Sequence, residues 1–385
     1  MHSPICDMFG IDFPLVAFSH CRNVVTEVSK AGGLGVLGAG GISPEALDME
    51  LKWVDENIDG RPYGVDLLIP SKSALGSSTP SVEQVLGMIP EEHKKFAARI
   101  LEGHGIDTDD LTDDDRKKFG GGIGQNIQED GAKRLLDVAF SYPIKFIVNA
   151  LGVPPQIMLD MAREHGVKTG ALVGAKEHAI KQVQAGVDVL VVSGTEGGGH
   201  CGSVSTMVLI PEVHMAIQPH GDTPILAAGG IVTGRQMAAC MAMGAAGAWT
   251  ASMWLTTAEA ETLPAVKDKM VAASSADTVR SKSRTGKFSR QLRSPWTDAW
   301  ESEGSPDPLP MPLQSMVSEP ALAKIDKLAD GGHRGAKELA TYWVGQGVGM
   351  MNSQQSVRSV MVEFMEDFLA AYDRLHGYLK VERSQ

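Results

Sequence analysis

The sequence is poor in the features that carry a chain out of the cell or into a membrane. It has only four cysteines in 385 residues, Cys6, Cys21, Cys201 and Cys240. They form no CxxC pair and show no zinc-like spacing to histidine, so free thiols in a reducing, cytoplasmic setting are expected, and no metal site. No run of eighteen apolar residues occurs, which argues against a membrane-spanning helix. The Met1-His2-Ser3-Pro4 start lacks the basic-then-apolar layout of a secretory signal. Positive charge is also scarce: 35 Lys and Arg stand against 47 Asp and Glu, a net charge of −12. Nonspecific nucleic-acid binding rests on neutralising phosphates with Lys and Arg, and this balance argues against it. Residues 71–142 and 276–385 show no internal repeats.

What the chain does have is glycine, 43 residues of it, and an alternation of short apolar runs with amphipathic stretches. Residues 14–19, 34–38, 63–69, 144–151, 168–173, 187–192, 224–228 and 246–255 read as strands. Helical patterns cover 23–31, 176–185 and 235–243, and another follows Pro154-Pro155. A further helix opens at Ser43-Pro44-Glu45, a hydroxyl N-cap with proline at the first helical position and an acid in the first turn. Eight strands joined by crossovers imply parallel pairing, and nearly continuous apolar strands fit a sheet buried on both faces. The fold expected is an α/β (β/α)8 TIM barrel. An open doubly wound sheet competes, and the strand count favours closure.

Two regions exceed a minimal barrel. Residues 71–142, after strand three, are too long for a structureless loop. They carry a helical pattern at 90–101 and another opening at Thr112, with Asp113, Asp114 and Asp115 in its first turn and the glycines of 120–124 ending it. This helical insertion follows a strand's C-terminal end and is expected to act as a lid. Residues 276–385, with a proline-rich loop at 305–312 and a helical end at 355–378, are expected to form a C-terminal helical extension packing on the barrel.

Gly33-Leu34-Gly35-Val36-Leu37-Gly38 spells a dinucleotide fingerprint, with Asp55 further on. That fingerprint must close a strand and open a helix so that the pyrophosphate meets the helix N-terminus. Here the glycines close a helix and run through a strand, so a tightly packed barrel strand is the reading.

The chemistry concentrates in three stretches. Ser193-Gly194-Thr195-Glu196-Gly197-Gly198-Gly199-His200-Cys201-Gly202 follows the most apolar strand, on the barrel face where active sites sit. Bare glycines let backbone approach a ligand, and an imidazole there is suited to moving protons near neutral pH. Ala227-Ala228-Gly229-Gly230-Ile231 closes the seventh strand, and Trp249-Thr250-Ala251-Ser252 lies in the eighth. Loops after these two strands form the recurrent phosphate site of barrels, with Gly229 and Gly230 offering amides and Ser252 a hydroxyl. Cys201 beside His200 suggests a nucleophile pair, but neighbours on an extended loop point apart and no third orienting group is evident. The run 280–293 holds Arg280, Lys282, Arg284, Lys287, Arg290 and Arg293 without an acid. A solvated or salt-bridged face is the first reading, and an anchor for a phosphorylated substrate the second.

Ala31-Gly32-Gly33-Leu34-Gly35, Gly64-Val65-Asp66, Glu196 to His200, Ala227 to Ile231 and Ala251-Ser252 recur in the order seen in the nitronate monooxygenase (2-nitropropane dioxygenase-like) family. The chain resembles that family over about residues 10–70 and 144–260, with a weaker echo at Thr285-Gly286 and Gly345-Gln346-Gly347. The resemblance implies non-covalent FMN in a barrel built from residues 1–70 and 143–275. Gly198, Gly229, Gly230, Ala251 and Ser252 would grip the phosphate, Asp66 and Ser193 would flank the ring, and Ala17, Phe18 and Ser19 would pack beneath it. His200 matches the family's active-site histidine. The chain departs from the family pattern at Phe18-Ser19 (Pro-Met), Asp66 (Asn), Ser193 (Gln) and Ala150 (His). An ionised Asp66 would remove a donor and add negative charge beside the ring.

Three functions follow. The first is oxidation of a small nitronate by FMN and O2 with His200 as acid/base. The second is reduction or dehydrogenation of an acyl thioester of coenzyme A or acyl carrier protein with NAD(P)H, for which the insertion and the basic run would supply roof and anchor. The third is a non-redox phosphate-ligand barrel. A homodimer is compatible with each.

Overall fold

The computed structural model describes residues 1–69, 82–116 and 129–379. Eight parallel strands close into a barrel: β1 (Leu15–Ser19), β2 (Leu34–Gly38), β3 (Tyr63–Leu67), β4 (Phe146–Asn149), β5 (Lys168–Val173), β6 (Val189–Ser193), β8 (Ile225–Ala228) and β9 (Gly247–Thr250). Closure is made by β1, which pairs with β2 on one side and β9 on the other. This excludes the open-sheet alternative.

Strand residues alternate between two apolar layers. Val16, Val36, Phe146, Val148, Val189, Val191 and Trp249 fill the lumen, each such side chain contributing roughly 1.5–3 kcal/mol by leaving water. The short helix Pro4–Phe9 closes the N-terminal end, with the Phe9 ring 4.9 Å from Phe146. Outward residues such as Tyr63, Val65 and Leu67 pack under the surrounding helices. The fingerprint-like glycines belong to this packing. A Cβ on Gly35 would stand 2.1 Å from the Val25 carbonyl oxygen, so helix Arg22–Lys30 lies directly on β2.

Several boundaries differ from the pattern reading. The eighth barrel strand ends at Thr250, because Ala251 leaves extended geometry (φ −136°, ψ −58°) and Ser252–Trp254 forms a 3-10 turn. β6 begins two residues late and includes Ser193. Ser43 caps the helix Pro44–Asn57 as read, its hydroxyl accepting from the Ala46 N–H.

The insertion and the extension share a second core. Leu86, Ile100 and Leu101 of helices Val82–Gly87 and Glu91–Glu102 pack with Val266, Trp296, Trp300, Leu322 and Ile325. Residues 113–116 are helical, and Asp115 caps their start by accepting from the Thr112 N–H and hydroxyl. The expected glycine break at 120–124 lies outside the described residues. The extension is not wholly helical: β10 (Thr278–Ser281) and β11 (Ser289–Leu292) form an antiparallel pair, and β11 also pairs with β7 (Gly199–His200). The terminal helix Val357–Leu379 returns to the barrel and packs on helix Gly234–Ala242, where a Cβ on Gly234 would stand 1.9 Å from the Phe364 carbonyl oxygen. Among the described residues, no helix is long and apolar enough to cross a membrane.

Candidate active site

The loop after β6 is held at both ends of its glycine run. At the first end, Thr206 gives its N–H and hydroxyl to the Glu196 carboxylate (2.9 and 2.8 Å), and its hydroxyl also lies 3.1 Å from the Gly229 carbonyl oxygen. At the second, Gly199 and His200 pair in register with Arg290 and Ser289, and the Arg290 guanidinium donates to the Thr195 carbonyl (3.0 Å). A segment that reads as a free glycine loop is therefore stapled to the C-terminal extension.

Three strand-end segments meet there, and a fourth joins them. Gly229 and Gly230 have positive φ (+104° and +70°), and added Cβ atoms would press on Gly194 and Glu196. Among the described residues their N–H groups meet no acceptor. Gln236 fixes this turn by donating to the Gly230 carbonyl and accepting from Val232 and Thr233. The turn at Gly345 closes the group: its N–H donates to Ser252 Oγ at 2.9 Å, and the Gln346 N–H donates to the Glu196 carbonyl at 2.9 Å. A Cβ on Gly198 would stand 2.8 Å from the Gly345 nitrogen. Gly198, Gly229, Gly230 and Ser252 thus converge as read, with Ala251 at the bend that delivers Ser252. The unclaimed N–H groups of Gly229 and Gly230 at this strand-end turn are suited to an anion.

Of the strand-one residues, Phe18 faces the lumen, its ring 5.8 Å from Trp249 and lying where a Cβ on Gly38 would be. Ala17 instead packs outward with Leu15 in the helical layer, and Ser19 Oγ accepts from the Cys21 N–H. A side-chain role beneath a ligand therefore remains for Phe18 and not for Ala17. Asp66, near the end of β3, is 5 % exposed and its Oδ1 has no hydrogen-bond partner. Burial alone pushes its carboxyl well above the usual carboxylate range. Ser193 ends β6 half-buried; a Cβ on Gly197 would meet its hydroxyl at 3.0 Å.

His200 keeps an exposed edge although neighbours crowd it. Its Nε2 lies 2.8 Å from Thr285 Oγ1, and its ring is 6.3 Å from that of Trp343. Its pKa is lowered from the usual 6.5, first by desolvation and then by the positive charges of Lys287 and Arg284. Arg284 is buried, forms a two-pronged ion pair with Glu319 (2.7 and 3.1 Å), and stacks over Trp343 at 4.0 Å. Arg280 and Lys282 both lie over the exposed Phe288 ring. The basic run is thus partly ion-paired and partly stacked. Cys201 donates its backbone N–H to the Phe288 carbonyl at 3.3 Å, continuing the extended path on which neighbouring side chains diverge. Thr285, Trp343 and Gly345 belong to the site although pattern reading named none of them for it. The Thr-Gly and Gly-Gln-Gly echoes were the available signal.

The barrel, together with the family its sequence matches, defines an oxidoreductase of the kind that works with a flavin. The model of the nitronate monooxygenase family matches residues 3–367, and the chain belongs to that family. It is 48% identical over 383 residues to Rv1533 of Mycobacterium tuberculosis, a protein named as a monooxygenase, covering 99% of this chain and 100% of that one. Staphylococcus aureus proteins named as nitronate monooxygenases are 25% identical over 358 residues, covering 89% of this chain and 90% of theirs. Similar solved structures include nitroalkane oxidase from Streptomyces ansochromogenes (TM-score 0.76, 22% identity, 96% of this chain and 99% of that one). FabK from Thermotoga maritima is another (TM-score 0.71, 23% identity, 98% and 100%). These two likenesses show the fold.

Proposed function

We propose that the chain is an FMN-dependent oxidoreductase that oxidises a small nitronate with O2, with His200 as its acid/base. The observation that carries this reading is the convergence of three glycine-bearing segments and the Ala251-Ser252 bend at one strand-end site, with an imidazole on the next strand-like segment of the same loop. FMN is favoured because the resemblance to the family implies it and a phosphate would meet the free Gly229 and Gly230 N–H groups. Gly198, Gly229, Gly230 and Ser252 would hold that phosphate, while Phe18, Asp66 and Ser193 would border the ring. Bound there, the flavin would supply electron transfer from substrate and onward to oxygen.

The protein's own part is proton handling and orientation. Thr285 Oγ1 accepts from the Lys287 N–H and lies 3.3 Å from the Lys287 carbonyl. With its one hydrogen directed to that carbonyl, it accepts from Nε2–H of His200. Nδ1 is then the basic nitrogen, able to take a proton from a nitroalkane or to orient a nitronate oxygen once protonated. The depressed pKa keeps the ring neutral, hence basic, at neutral pH.

A second reading, reduction or dehydrogenation of an acyl thioester with NAD(P)H, is favoured by one observation. Lys287 lies close enough to lower the His200 pKa, while Arg280 and Lys282 lie over the exposed Phe288 ring, and a bulky phosphorylated substrate would use these cations as an anchor. The insertion would then cover the bound chain as a lid.

Purified protein should be yellow, and a colourless preparation that takes up no FMN would remove both redox readings. Anaerobic mixing separates them: bleaching by propionate 3-nitronate supports the first, whereas bleaching by NADH or NADPH alone supports the second. His200→Asn is expected to lose most turnover while keeping the flavin, and unchanged turnover refutes the acid/base role.

A further inference from the structure

We infer that Asp66 works as a neutral carboxylic acid, donating a hydrogen bond to the ring of the bound flavin and making that ring easier to reduce. The inference rests on the flavin reading above and adds to it the chemical state and task of one residue.

The position follows from strand geometry. Tyr63, Val65 and Leu67 of β3 face the helices, so Gly64 and Asp66 face the lumen. A Cβ on Gly64 would meet Val36 and Phe146, which confirms the direction. Asp66 stands one layer higher, at the end of the strand that opens toward the strand-end site. Its in-register neighbours are Gly38 on β2 and Val148 on β4, and neither carries a charge. Over Gly38 lies the Phe18 ring, and the neighbouring His20 is bonded through Nδ1 to the Gly38 carbonyl. Among the described residues, Asp66 is the most completely buried carboxyl side chain, and no cation pairs with it. Its Oδ1 is sealed from water without a partner.

An ionised carboxylate held in an apolar lumen without cation or donor is strongly disfavoured, and such groups take up a proton instead. The protonated form has what the ionised form lacks, one O–H donor. Apolar strands fill the lumen below it, so the partner for that donor lies toward the mouth. Reduction adds electron density to a flavin ring, and a donor beside the ring stabilises that added charge, whereas an ionised Asp66 would oppose it. The same burial that makes the residue costly as an anion thus makes it useful as an acid.

The test uses wild type, Asp66→Asn and Asp66→Leu, with FMN binding measured first by quenching of flavin fluorescence. Failure of wild type to bind FMN refutes the flavin reading. The protonation claim is then still decided on the protein alone, by infrared spectra of protein labelled with 13C-aspartate. A protonated carboxyl band present in wild type and missing in Asp66→Asn is expected at neutral pH, and its absence overturns the inference. With FMN bound, Asp66→Asn keeps a donor and should hold the midpoint potential within ten-fold in the two-electron equilibrium, about 30 mV. Asp66→Leu should lower it by more than that. A large rise in Asp66→Asn, or no fall in Asp66→Leu, overturns the donor role. If Asp66→Leu does not fold, the infrared band and the Asn variant still decide.

Discussion

Replacing Thr285 with valine keeps the branched shape of the side chain and removes one hydroxyl, the one that lies 2.8 Å from His200 Nε2. A neutral hydrogen bond of this kind contributes about 0.5–1.5 kcal/mol net. Its loss should cut the preference for the Nε2–H tautomer about two- to thirteen-fold, since each 1.36 kcal/mol is tenfold. Fewer molecules would then present Nδ1 as the base, so kcat on a nitronate should fall by up to that factor while KM changes little. The same bond is stronger when the imidazolium donates it, so its loss should also move the histidine pKa further down. Two assays read these effects: the pH profile of turnover, and 15N shifts of histidine-labelled protein assigned with His200→Asn. Thr285→Ser should restore both. If Thr285→Val leaves the 15N shifts and the acidic limb unmoved, the hydroxyl is only a packing group and the tautomer argument fails.

Other perturbations test the frame. Lys287→Met removes a cation that lowers the His200 pKa, so the acidic limb of the profile should move to higher pH. Gly234→Ala would drive a methyl into the backbone of the terminal helix at Phe364 and Phe368; a loss of at least ~1–3 kcal/mol is expected from overpacking, read as a lower unfolding midpoint and easier proteolysis of the C-terminus. Asp326 has its pKa raised to about 6, chiefly by burial and further by Glu319, with Arg284 opposing. Its penalty is absent at low pH, grows as pH rises from its ordinary 3.8 toward 6, and is full above that. Asp326→Asn should therefore stabilise the protein near pH 7 by about 1–2 kcal/mol after discounting for water contact, with the gain vanishing below pH 4.

The barrel was legible because its strands are buried on both faces and read as continuous apolar runs; β2 and β5 fall where the runs begin and end. The eighth strand read too long because Ala251-Ser252-Met253-Trp254 stays apolar after the backbone has turned, and hydropathy does not register a change in ψ. The glycines of the site were visible in sequence, since bare backbone has few other uses at a strand end. Their partners were not: Gly345 lies more than ninety residues beyond Ser252, and Thr285 eighty-five beyond His200. No local pattern reports a hydrogen bond across such distances. That Phe18 points into the lumen while the Ala17 side chain packs outward was not legible, because a three-residue motif carries no sign of which side chain points inward. The ionisation of Asp66 was the least legible feature, since it depends on surroundings drawn from three other strands.

The pairing of β7 with β11 also has a consequence in time. His200 leaves the ribosome early, but the strand that holds it in line and the threonine that orients it are made roughly eighty to ninety residues later, and Gly345 later still. A nascent or prematurely terminated chain could form much of the barrel wall and yet hold no aligned imidazole. Alignment of the imidazole would then arrive last, after the barrel strands that carry it have been synthesised.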